Sequence, residues 1–243
     1  MHAIAEEIAP KCRAKLERAP ALPREDIYGA VHKGLRWLLS DVMVTMGRTS
    51  FGHEPSARRV VAQVREVLDV CQAHLEHENT HIHTALDRRR HGASARLGGD
   101  HVHHEHSIAV LRELATQVEM ASDEARPAYG RRLYLRYSAF VGENLVHMVE
   151  EEELAQAVLE EIYSTEELQD LHRTLVTSIA PEKAFPVVRL MLCGVNTEEQ
   201  SVIVAGARRT FSVDQMATLV GALRSALDTD QWQALATAFL RSA

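Results

Sequence analysis

The chain has 243 residues, 46% of them apolar, and a formal charge of −7 from 27 basic and 34 acidic side chains. That is enough apolar material for one large helical domain or a main domain with a small appendage, and the intermixed charge makes no basic stripe with interleaved aromatics, which argues against a nucleic-acid partner. Short apolar runs exclude a membrane span, the first residues lack the apolar stretch of a signal peptide, and three scattered cysteines, Cys12, Cys71 and Cys193, argue against a disulfide framework or a Cys-rich zinc site, so a soluble cytoplasmic chain with reduced thiols is expected.

Taken in chain order, residues 1–23 alternate charge with Ala, Ile and Leu and read as an N-terminal helical extension. Four long segments with helical apolar spacing follow: about Arg24 to Met46, Glu54 to Arg89, Gly99 to Ala121 and Asp123 to Ile162. The stretch HGASARLGGD between the second and third marks a short loop. After Ile162 the segments become short. Ser164 and Glu167 form a capping box, and Thr197, Ser212 and Thr229 are candidate caps for further amphipathic helices. The spacing predicts an all-α fold: a four-helix bundle over 24–162 and a C-terminal helical extension over 163–243, with 181–243 as its appendage. No repeat of fixed period is evident.

Fourteen histidines stand out, and nine fall between His74 and His106. A bundle helix shows its partners a stripe spaced alternately three and four residues apart. On the second helix that stripe runs Val60, Val64, Val67, Cys71, His74, Glu78, His81, Ala85, turning from apolar to ionisable without changing register. On the fourth it runs Leu133, Tyr137, Phe140, Asn144, His147, Glu151, Leu154, Val158, with the same His-x-x-x-Glu inside an apolar face. The third, followed back from Val118, Ala115, Leu111 and Ile108, arrives at His104 and His101, with Glu105 alongside. The first gives Met46, Val42, Leu39, Leu35, His32, Tyr28.

Four helices therefore each aim at least one histidine inward, and two add a carboxylate one turn on. Burying so many ionisable groups without compensation costs several kcal/mol apiece, more than a domain's net stability absorbs. Imidazole with carboxylate suits iron, manganese or zinc, and a metal pair would use the carboxylates as bridges. The i, i+4 spacing stacks two ligands on one rigid helix face.

These residues resemble the hemerythrin-like (HHE cation-binding) family. His32, the pair His74 and Glu78, His101, and His147 with Glu151 fall on its pattern of ligands, and YGAVHKGLRWLL, IHTALDRRR, DHVHHEH and HMVEEEEL are similar to bacterial members. The resemblance covers about 24–162. It implies an antiparallel up-down four-helix bundle around two iron ions, oxo- or hydroxo-bridged, with zinc or manganese as other metals the donors accept.

Two points stay open in the residues themselves. His104 or Glu105 can be the further ligand of the third helix, with His104 favoured by its place on the apolar stripe. Glu152 competes with Glu151 on the fourth. The oxygen-carrying form of the family implies a carboxylate five residues after the histidine, and the His-x-x-x-Glu form of iron-sensing relatives implies Glu151, which the stripe also favours.

The other histidines carry less. His81, one turn past Glu78, is the best candidate to orient a ligand or guard an entrance; His77, His83, His103 and His106 read as outer or solvated groups, and His2, His53, His91 and His172 carry no signal. Most of Glu150 to Glu153 must be solvated, while Cys71 and Tyr28 read as packing. The resemblance implies a non-haem di-iron protein that binds or senses dioxygen, nitric oxide or iron beside an apolar wall of Leu35, Leu39, Ile108, Leu111 and Phe140. A peroxide-consuming or iron-oxidising enzyme, and a metal-stapled interaction module that includes a homo-oligomer, are the alternatives.

Overall fold

In the computed structural model, which describes residues 22–241, the segments with helical spacing fold as helices and no strand occurs among the described residues. The expected N-terminal extension lies, apart from residues 22 and 23, outside the described residues. The four long helices are α1 (Gly29–Arg48), α2 (residues 54–89), α3 (Ala95–Met120) and α4 (residues 126–162). Five shorter ones follow: α5 (Thr165–Ser178), α6 (Pro181–Gly194), α7 (Thr197–Thr210), α8 (Val213–Ala226) and α9 (Thr229–Arg241).

Helix boundaries depart from expectation where side chains intervene. The first helix begins at Gly29 rather than near Arg24, because the Asp26 carboxylate accepts the backbone N–H groups of Tyr28 and Gly29 at 3.2 and 2.7 Å and holds the chain in a turn. The third begins at Ala95 rather than near Gly99, so Gly98, expected in the loop, is helical together with Gly99. Two helical glycines cost about 1 kcal/mol each, yet Leu97 is buried there and Asp87 pins Ser94 through its backbone N–H and hydroxyl at 3.1 and 2.7 Å. Packing overrides propensity at this point. The Ser164 and Glu167 capping box forms as expected, and Ser212 caps α8 with Gln215. Thr197 and Thr229 are instead the first helical residues: Asn196 caps α7, and Asp228 accepts the Gln231 N–H at 2.9 Å.

Each of α1 to α4 packs against the next, and α4 returns to α1, closing a ring. Residues near the starts of α1 and α3 meet residues near the ends of the first stretches of α2 and α4, as neighbours running in opposite directions require. Two apolar layers fill the interior. One holds Leu35, Leu39, Val64, Leu68, Leu75, Ile108, Leu111, Phe140 and Met148. The other holds Tyr28, Ile82, Leu86, Leu97 and Leu159, and is extended by Leu168 and Leu175 of α5.

The remaining helices form a third cluster around Leu192, Val204, Leu219, Leu223 and Leu235, bridged to the bundle by Trp37. Here α6 crosses α1 so closely that a Cβ on Gly34 would stand 2.7 Å from the Leu190 carbonyl oxygen, and one on Gly194 would strike the Lys33 backbone. Glycine at both positions lets the two backbones touch. Lys33 adds an ion pair to Glu199 at the start of α7.

Candidate metal centre

The middle of the bundle is polar because both His-x-x-x-Glu pairs face it, and each carboxylate stands where its helix changes pitch. The α-helical stretch Glu54–Glu78 passes into a π turn, Asn79–His83, and then Thr84–Arg89; Arg126–Glu150 passes into the π turn Glu151–Ala155, then Gln156–Ile162. Such one-turn bulges are frequent at functional sites. They also insert a residue into the stripe. Beyond Glu78 the buried positions become Ile82, His83, Ala85 and Leu86, which takes His81 out of the interior and sets its ring against His77, 4.7 Å between centroids.

Six of the seven expected ligands converge. His32, His74, Glu78 and Glu151 make one group, and Glu78, His101, His147 and Glu151 a second, each with its candidate ligand atoms within 4.8 Å of one another. The two carboxylates are common to both, and their oxygens divide between them. Glu78 Oε1 lies 3.4 Å from His32 Nε2 and 3.3 Å from His74 Nε2, while its Oε2 lies 3.6 Å from His101 Nε2. Glu151 Oε2 lies 3.5 Å from His32 Nε2; its Oε1 lies 3.5 Å from His101 Nε2 and 3.3 Å from His147 Nε2. Across the second group the ring nitrogens of His101 and His147 are 2.9 Å apart.

The far sides of His32 and His101 are held from outside by hydrogen bonds, whereas the outer nitrogen of His147 has only a nearby carboxylate and no hydrogen bond. His32 Nδ1 meets Glu152 at 3.0 Å, and Arg36 grips that carboxylate with both guanidinium nitrogens at 2.6 and 3.1 Å. His101 Nδ1 meets Asn79 Oδ1 at 2.8 Å, and His147 Nδ1 stands 3.7 Å from Asp100. Outer contacts of this kind fix ring orientation around metal sites. Glu152 thus stands behind His32 rather than within either group. Asn79, Asp100 and the buried His83, whose ring stacks on His101 at 4.5 Å, were not singled out by the stripe. The first two follow Glu78 and precede His101 directly in sequence, which is the signal that would have found them.

His104 stays apart. It is buried on the expected face, but its ring lies edge-on to His147 at 4.9 Å and near Phe140, and it belongs to neither group. The cause is its place three residues after His101, which directs it toward the apolar layer. Glu105 is half-buried and also outside both groups.

Electrostatics divide the site. Burial depresses the His32 imidazole, but Glu152, Glu78 and Glu151 outweigh it and lift the pKa to about 9. His147 is raised by Glu151 against the same burial. Burial wins at His74, which is lowered despite Glu78, and at His104, pushed down to about 4 by burial and then by the neighbouring imidazoles. Burial alone would raise the Glu151 carboxyl, but the imidazoles of His101, His147 and His32 close around it hold it well below the usual carboxylate range. The Tyr28 phenol goes up, first by burial and then by the charges of Glu151 and Glu78. Burial pushes the Cys71 thiol up to about 12, as expected of a packing group.

Even so, the centre is unsatisfied. Both oxygens of Glu78 and of Glu151, and the inward nitrogens of His32 and His74, are buried without a hydrogen-bond partner of acceptable geometry. Each such group ordinarily costs about 1–3 kcal/mol, more when charged. Cations among them would satisfy all of these atoms together, and the donor set of imidazole nitrogens and bridging carboxylates fits paired first-row metals. The site can hold metal. No described helix is long and apolar enough to cross a membrane.

No family model matches the chain. It is similar to F-box/LRR-repeat protein 5 of Mus musculus, 24% identical over 206 residues, covering 82% of this chain and 28% of that protein. The corresponding proteins of Bos taurus and Xenopus laevis are 24% and 23% identical over 170 residues, covering 68% of this chain in each case. The chain thus spans about a quarter of the length of the curated relatives it matches.

Proposed function

We propose that this chain is a hemerythrin-like protein that holds two iron ions in its bundle and binds or senses dioxygen, nitric oxide or iron. One observation carries the reading: two buried carboxylates, Glu78 and Glu151, each divide their oxygens between two imidazole pairs, and all four oxygens lack a hydrogen-bond partner. A single structural ion would use one such group, and shared carboxylates are the arrangement of a pair. His32 and His74 would hold one ion and His101 and His147 the other, with Glu78 and Glu151 spanning both.

A ferrous pair, when bound, supplies two electrons and an open coordination position for a small diatomic ligand. The chain's own residues do the rest. Leu35, Leu39, Ile108, Leu111 and Phe140 lie together in the apolar layer on one side of the site, where they exclude water and protons. Glu152 and Asn79 fix the rings of His32 and His101 through their outer nitrogens. His74 is the most exposed of the six, at 14% of its side chain, although its inward nitrogen is buried.

The similarity to F-box/LRR-repeat proteins is compatible with this reading, since it covers 68% to 82% of this chain. The rest of those relatives lies beyond the match. The enzymatic alternative gains most if Glu105 joins the centre as a third carboxylate, and Glu105 belongs to neither group.

Anaerobic loading with ferrous iron, followed by air, tests the proposal. A visible charge-transfer band that appears with oxygen and disappears on its removal supports binding or sensing. Rapid decay of the band with peroxide consumption supports catalysis instead, and failure to take up iron ends both readings.

A further inference from the structure

Tyr28 precedes His32 by one helical turn, and its ring lies 5.2 Å from the His32 ring. The residue is 1% exposed and packs among Ile27, Ile82, Leu86, Leu97 and Leu159, forming the apolar layer on the opposite side of the site from Leu35 and Leu39. Its hydroxyl is buried and has no hydrogen-bond partner. Tyr137, the other fully buried phenol, gives its proton to the Leu39 carbonyl at 3.3 Å. A phenylalanine would fill the same space beside His32 without burying a lone polar atom, so packing alone does not explain the hydroxyl.

The side chains around it leave a specific role open. Glu78 and Glu151 can only accept, and the inward nitrogens of His32 and His74 are taken if they ligate. Asn144 already donates to the Phe140 carbonyl at 2.7 Å. His83 and His104 each have a buried nitrogen without a partner, but each ring is set against a ligand candidate of the second group, His101 and His147. Tyr28 stands beside the first group. We propose that Tyr28 is a hydrogen-bond donor of the centre, its hydroxyl donating to an anionic or oxygen-bearing small ligand held at the metal pair. This rests on the metal-centre reading above. It gives the otherwise apolar surroundings of the first group a polar contact that favours ligands with an acceptor atom over apolar ones of the same size.

Azide is the probe, titrated into the iron-loaded, oxidised full chain and into its Tyr28→Phe variant. The variant should keep the wild-type iron content, and its metal-free form should melt no lower than the wild type. Its azide affinity should fall roughly tenfold to a hundredfold, as for loss of one hydrogen bond to a charged acceptor. The infrared stretch of bound azide should also move, a change that a packing role would not produce. Equal azide affinity with an unmoved stretch overturns the proposal. So does a variant that fails to fold or loses its iron, because the hydroxyl would then serve structure or ligation. A wild-type chain that takes up no iron instead overturns the metal-centre reading, and this proposal with it.

Discussion

If Glu151 serves two ions and His74 only one, their removal must differ in stoichiometry. Glu151 offers Oε1 to the group of His101 and His147 and Oε2 to the group of His32, whereas His74 approaches Glu78 Oε1 within a single group. Losing an outer-shell partner already weakens metal sites by about 10–100-fold, so losing one of four inner donors should weaken an ion by about 100-fold or more, equivalent to about 2.7 kcal/mol. Glu151→Ala incurs this twice, about 5 kcal/mol in all, and His74→Ala once. For a chain of this size about 2–4 °C of melting temperature accompanies each kcal/mol. The loaded Glu151→Ala protein should therefore melt about 10–20 °C below wild type, and His74→Ala about half as far, after subtracting each variant's own metal-free melting point. Metal analysis after dialysis against a competing chelator should find close to one ion per chain in His74→Ala and close to none in Glu151→Ala. Equal retention in the two variants, or one ion kept by Glu151→Ala, would refute the shared-carboxylate geometry.

Other outcomes follow from the same structure. The folded His32 pKa of about 9 lies above its ordinary value near 6.5, so its contribution to metal-free stability is complete below about pH 6.5 and disappears as pH rises through about 9. That loss is on the order of 3 kcal/mol, and urea unfolding of the metal-free chain across this range measures it. Because a metal must displace the His32 proton, apparent affinity should rise about tenfold per pH unit below pH 9 for each proton displaced; calorimetry in buffers of different ionisation enthalpy counts those protons. Gly194→Ala should cost about 1–3 kcal/mol by driving α6 off α1, visible as a lower metal-free melting point. Leu159→Ala, in the apolar layer beneath the site, should cost about 2–5 kcal/mol while leaving two ions bound at saturation.

Much of this arrangement was legible because helical spacing and chemistry agree. The stripe through Val60, Val64, Val67 and Cys71 leads to His74 and Glu78, and the one through Tyr137, Phe140 and Asn144 leads to His147 and Glu151; all four side chains at the ends of these stripes reach the centre. The spacing could not reveal where the helix itself changes. Each stripe assumes a constant pitch, and the π turns after Glu78 and from Glu151 shift it by a residue, which is why His83 is inside and His81 is not. His104 shows a second limit: its burial was readable from the stripe, but three residues of rise carry it past the carboxylates. Asn79, Asp100 and Glu152 act sideways on the imidazoles, a relation that no single-helix period encodes. The close crossing of α6 on α1 through Gly34 and Gly194 depends on two segments far apart in sequence.

The claim beneath all of this is that paired cations occupy the buried layer between the two apolar clusters. Anomalous diffraction at the iron edge from crystals of the loaded chain addresses it directly. The account predicts two peaks, one bounded by His32 and His74 and the other by His101 and His147, about 3.5–4 Å apart as in two-metal sites and both against Glu78 and Glu151. A single peak within the bundle, or iron found only on surface histidines such as His77 and His81, would contradict it.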